Sequence, residues 1–143
     1  MKNILAVILF VATAATLSAQ IKEDSTAHSN AIFTMVQQMP KFEGNLSQYL
    51  STHITYPEKE RRNNITGTVY ITFVVEKDGS ISGAKVLRGV ANGPGLDSTA
   101  LAVVKGMPEW DPGLQNGHQV RVQFNLPINF QLNEAMPMPG NKQ

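Results

Sequence analysis

His118-Gln-Val-Arg-Val-Gln-Phe-Asn-Leu-Pro-Ile-Asn-Phe130 alternates apolar and polar residues along its length. Val120, Val122, Phe124, Leu126, Ile128 and Phe130 share one parity, and Arg121, Gln123, Asn125 and Asn129 the other. Strand side chains point alternately to two faces, so this is the pattern of a strand with one buried face. Pro127 falls on the polar parity and has no N–H to donate, which fits the edge of a sheet. An edge carries a row of free backbone donors and acceptors. A protein must hide that row or use it to bind another strand.

The segment Gly67–Glu76 is the complementary signal. Val69, Ile71, Phe73 and Val75 lie on one parity, and Tyr70, Thr72 and Val74 on the other. Bulk on both faces predicts a central strand. Lys77-Asp78-Gly79-Ser80 is a tight-turn signal that leads into a hairpin partner, Ile81–Arg88. Two helices complete the pattern. Asn45 is positioned to cap the first, in which Leu46, Tyr49, Leu50 and His53 share a face until Pro57 ends or restarts it. The second runs from Leu96 to Lys105, with Asp97 or Ser98 as its cap and Gly106 as its stop. Phe42 and Trp110 sit in Pro/Gly-containing loops that deliver them to the core. The expected architecture is α+β: a three-stranded antiparallel sheet with two main helices packed on one face. The strand from Gly67 is central, and the strand from Gln119 forms an open edge.

The chain has 143 residues, 42% hydrophobic and 16% charged, with a formal net charge of +1. That predicts one globular domain and lacks the basic footprint of a nucleic-acid binder. There is no cysteine, hence no disulfide framework and no thiolate metal site. Lys2, the apolar run Ile4–Leu17 and Leu17-Ser-Ala19 together read as a signal peptide over residues 1–19. The run spans about 21 Å as a helix, less than the roughly 30 Å hydrocarbon core, and an uncleaved anchor is the alternative. Residues 20–38 read as a short tether with some helix over Ala31–Gln38, residues 39–132 as the domain, and residues 133–143 as a flexible tail.

No constellation carries catalytic chemistry. His28, His53 and His118 lack ligand spacing, so no metal is expected. Asp78-Gly79-Ser80 reads as a turn, not a nucleophile motif. Gly89, Gly93 and Gly95 precede a helix, but no Lys-Ser/Thr follows to hold a phosphate. The chain therefore reads as an interaction domain with no enzyme activity and no cofactor.

A set of short motifs occurs in a fixed order: Tyr56-Pro57, Gly67-x-Val69-x-Ile71-x-Phe73, Asp78-Gly79-Ser80-Ile81, Val86-Leu-Arg-Gly89, Leu96-Asp97-x-x-Ala100-Leu101, Met107-Pro108-x-Trp110-x-Pro112-Gly113 and Asn116-Gly117. Over Met39–Leu132 this series resembles the C-terminal domain of TonB-type energy transducers, in the form common in Bacteroidetes-like bacteria. The resemblance implies a periplasmic domain that captures the TonB box of an outer-membrane transporter as an added β-strand, in energy-dependent transmembrane transport. It also implies ExbB and ExbD as partners if the N-terminal segment is a membrane anchor. Carried over by position, the strand-addition surface is Gln119, Val120, Arg121, Val122, Gln123, Phe124 and Asn125, and Thr55, Tyr56 and Pro57 face the receptor. Thr55 stands where enteric members carry Gln. The tether over residues 20–38 reaches roughly 65 Å fully extended, against the long proline-rich spacer of typical transducers. The alternative reading is a free-standing envelope interaction module, or a homodimer paired through the same edge, without energy transduction.

Overall fold

The computed structural model describes residues 30–132; the N-terminal signal-peptide or anchor reading and the C-terminal tail fall outside those residues. In chain order the elements are β1 (Ile32–Phe33), β2 (Lys41–Phe42), α1 (Leu46–His53), α2 (Glu58–Arg62) and β3 (Gly67–Val75). They continue with β4 (Ile81–Arg88), α3 (Pro94–Lys105), β5 (Trp110–Asp111), β6 (Gly113–Gln115) and β7 (His118–Phe130).

The three long strands take the expected antiparallel order, β7-β3-β4, with β3 in the centre. β3 pairs with β7 in one unbroken register from Gly67↔Phe130 to Val75↔Val122. The alternation read from the sequence is the burial pattern observed. Val69, Ile71, Phe73 and Val75 of β3 are fully covered, as are Val122, Leu126, Ile128 and Phe130 of β7. Gln123, Asn125, Pro127 and Asn129 face solvent. Leu96, Ala100 and Val104 of α3 join the same core, and Leu46, Tyr49 and Leu50 of α1 pack against it.

The sheet is larger than the three strands expected. β1 joins β7 in parallel, and β6 forms a hairpin with β7, which makes five strands. A separate two-stranded ribbon, β2 with β5, sets Phe42 opposite Trp110. These additions have two or three residues each, too few for a two-residue period to register. The helix expected over Ala31–Gln38 does not form. That stretch holds β1, bends and a backbone bridge from Gln38 to Leu114.

Local chemistry explains the joints. Asn45 caps α1 as expected, its Oδ1 accepting from the Gln48 N–H at 3.0 Å. Asn116 and Gly117 both have positive φ, 52° and 76°, the conformation that closes a two-residue hairpin, here β6–β7. At the start of α3 neither Asp97 nor Ser98 is the cap. Gly93 holds that position with no side-chain bond, and the Asp97 carboxylate reaches back to the Val90 N–H at 3.0 Å. The Gly95 N–H, an orphan donor of the first turn, is met by Glu60 of α2, which is only 3% exposed. Trp110 is the core plug expected, packed edge-on against Phe42, Phe73 and Phe124.

Candidate functional site

The sheet has two outer edges, and they differ in fitness to accept a strand. β4 makes two register shifts against β3, holds Gly83 at φ 61° and exposes Lys85 and Arg88. Bulges and exposed cations of this kind blunt an edge. β7 runs regularly along β3 to its end. In an antiparallel ladder successive N–H groups point to alternate sides of the strand. Pro127 sits inside the continuous β3–β7 register without an N–H, so its parity points away from β3. The donors of Gln123, Asn125 and Asn129 share that direction.

The predicted strand-addition residues are therefore not equivalent. Gln119 and Val120 pair with Leu114 and Gly113 in the β6–β7 hairpin. Arg121 and Val122 pair with Ile32 and Phe33 of β1. Gln123, Phe124 and Asn125 pair with β3 alone among the described residues. The edge expected to be open from Gln119 onward is occupied at Arg121–Val122. The occupant came from a segment read as tether, whose two paired residues carry no strand signal of their own.

Arg121 organises this part of the edge. Its Nε donates to Glu76 Oε2 at 2.6 Å and its Nη2 to Glu76 Oε1 at 2.9 Å. Its Nη1 donates to the Asn30 carbonyl at 3.0 Å. The Arg121 guanidinium, helped by the Ser82 hydroxyl, holds the Glu76 carboxyl below its ordinary pKa against partial burial and the Asp78 charge. Glu76 in turn raises the Arg121 pKa. Asn30, Glu76, Lys77, Asp78, Ser80 and Arg121 line an open groove of about 720 Å³ beside the β3–β4 turn.

The predicted receptor-facing group lies elsewhere. Thr55 is exposed and Pro57 half-buried. The Tyr56 ring packs edge-on against Phe130 at 5.7 Å, and its hydroxyl donates to the Ile65 carbonyl. Burial, and secondarily the Glu60 carboxylate, push the Tyr56 phenol above its ordinary pKa. Tyr56 thus marks the far end of β7. Gln119 to Phe130 spans about 36 Å at roughly 3.3 Å per residue, so the two groups flank the edge instead of converging. His53 stacks on Tyr49, and no cluster of metal-ligating side chains occurs among the described residues. No helix among them is long and apolar enough to cross a membrane.

The family profile of the Gram-negative bacterial TonB protein C-terminal domain matches residues 52–132, more than half of the chain. The chain belongs to the TonB C-terminal family. TonB C-terminal domains work in the periplasm of Gram-negative bacteria as transport-associated interaction domains, and the family implies contact with TonB-dependent transporters. Two solution structures of Helicobacter pylori TonB C-terminal domain fragments are similar to this chain. One is 23% identical over 62% of this chain and 91% of its own, with a TM-score of 0.47. The other is 20% identical over 62% and 78%, with a TM-score of 0.43. No curated protein sequence matches the chain significantly.

The residues that reasoning from sequence missed are Asn30, Ile32, Phe33, Gln37 and Glu76. Gln37 brackets the hairpin turn: its N–H donates to Gln115 Oε1 at 3.0 Å, and its Oε1 accepts from the Asn116 N–H at 2.9 Å. Such partners lie far apart in sequence, and no local spacing announces them.

Proposed function

We propose that this TonB C-terminal domain captures the TonB box of an outer-membrane transporter by adding it as a strand beside β7, in the periplasm. One observation carries the reading. From Gln123 onward β7 keeps a regular ladder with β3 while its outward donors pair with no strand among the described residues. Strand addition draws its affinity from main-chain hydrogen bonds and asks little of side-chain identity. That suits a site whose outward row is Gln123, Asn125 and Asn129. ExbB and ExbD enter this reading only with an anchored N-terminus. The Thr55–Pro57 group would then meet the transporter at the far end of the edge.

Titrating the chain with a synthetic TonB-box peptide, followed by backbone amide shifts, tests the proposal. The expected shifts concentrate on Gln123–Asn125. Gln123→Pro removes an outward donor at a position whose parity already tolerates Pro127, so the fold persists and peptide binding drops at least about tenfold. Unchanged affinity in that variant, or a concentration-dependent dimer with no peptide binding, overturns the proposal.

A further inference from the structure

We propose that Asn30–Val36 is a tethered strap that occupies the first part of the capture edge and has to leave before a partner strand can pair along Gln119–Asn125. The inference rests on the reading of β7 as a capture edge and adds a built-in competitor to it.

The strap is fixed at one end and lightly held at the other. At its fixed end Gln37 brackets the β6–β7 turn, and Gln38 exchanges two backbone hydrogen bonds with Leu114, at 3.1 and 2.9 Å. At its light end, among the described residues, only Ile32 and Phe33 pair, in register with Arg121 and Val122, and Arg121 Nη1 holds the Asn30 carbonyl. None of its apolar side chains is fully buried: Ile32 is 47% exposed, Met35 is 83% exposed, and Phe33 and Val36 are half-buried. Thr34 and Met35 form a bend between the two ends and supply the joint about which β1 swings.

The competition is for the same atoms. β1 lies against Arg121–Val122 on the side of β7 away from β3, because β3 already pairs with Val122 through Val75. A partner strand crossing those residues needs the outward main-chain groups that β1 uses. A ligand that binds only the open form sees its apparent affinity reduced by the open fraction. The tether keeps β1 at high local concentration, so an edge that takes strands readily is not left bare to take the wrong ones.

Two full-length variants test this. Ile32→Pro with Phe33→Pro removes both N–H groups of β1 and leaves the core untouched, and Ile32→Gly with Phe33→Gly is the milder companion. Both should bind a TonB-box peptide more tightly than the parent chain, by about tenfold for the proline pair. A synthetic peptide of residues 30–36, added to the proline variant, should shift the amides of Arg121 and Val122 and leave the parent chain unperturbed. Equal TonB-box affinity in parent and variants overturns the strap and leaves the capture edge standing. No TonB-box binding to any form, with the 30–36 peptide still shifting Arg121 and Val122, upholds the strap and overturns the TonB-box reading. Failure of both peptides on every form overturns both.

Discussion

Arg121 and Glu76 form a two-pronged ion pair that joins β7 to the end of β3, at 2.6 and 2.9 Å. The third arm of the same guanidinium holds the Asn30 carbonyl. One side chain therefore couples the carboxylate to the placement of β1.

This coupling predicts an acid response. The folded-state pKa of Glu76 lies below its ordinary value of 4.5, chiefly through the Arg121 hydrogen bonds. A depressed carboxylate stabilises the folded arrangement above the unfolded pKa, and that contribution is lost as pH falls through the folded pKa. Between neutral pH and the ordinary carboxylate range, the amide signals of Ile32 and Phe33 should stay constant. At more acidic pH Glu76 takes up a proton, Arg121 loses its partner and the two signals move together. Glu76→Gln should show loosened β1 signals at neutral pH with no acid step, as followed by amide NMR across a pH series.

Gly79 and Gly83 both have positive φ, 87° and 61°, but only Gly79 is crowded. A Cβ there would lie 2.0 Å from the Trp110 carbonyl oxygen, whereas Gly83 has open space. Gly79→Ala should destabilise by about 3 kcal/mol and Gly83→Ala by about 1 kcal/mol. Urea unfolding of the two variants measures the difference, and equal midpoints would remove the close approach of Trp110 as its cause.

Glu60 is a buried carboxylate whose partner is the first turn of α3. Glu60→Ala leaves the Gly95 N–H without an acceptor and should cost about 2 kcal/mol. Glu60→Gln keeps an oxygen in place and should cost less than half as much. Thermal melts rank the two, and a larger loss for Gln than for Ala would refute the capping role.

Trp110 sits where β5, β2 and the sheet core meet, at 4% exposure. Trp110→Ala should lose about 3–5 kcal/mol through the cavity left beside Phe42, Phe73 and Phe124. Its indole N–H has no hydrogen-bond partner among the described residues, so Trp110→Phe should keep most of the stability. Guanidinium unfolding gives both values.

The long elements were legible because packing acts on many residues at once. The alternation of Val120 to Phe130 marks a buried face, and Asp78-Gly79 closes the β3–β4 hairpin as its chemistry demands. Asn45 caps α1 for a local reason, a side-chain oxygen three residues from the Gln48 N–H. The start of α3 defeats the same rule because its donor is met by Glu60, thirty-five positions away. β1 is hidden for a related reason: its two residues pair by proximity to a hairpin that Gln37 grips across seventy-eight positions. At the candidate site the edge itself was visible in Pro127 and its parity. Its partial occupation was not, and neither was the position of Tyr56 at the opposite end of β7.

The unbroken register between β3 and β7 also has a mechanical meaning. A strand added beside β7 and drawn along its own axis loads that ladder in shear. The nine residues of β3 then resist together, where a ladder pulled open from one end yields one rung at a time. The β3–β7 ladder thus anchors β7 against such a load along the whole of their shared register.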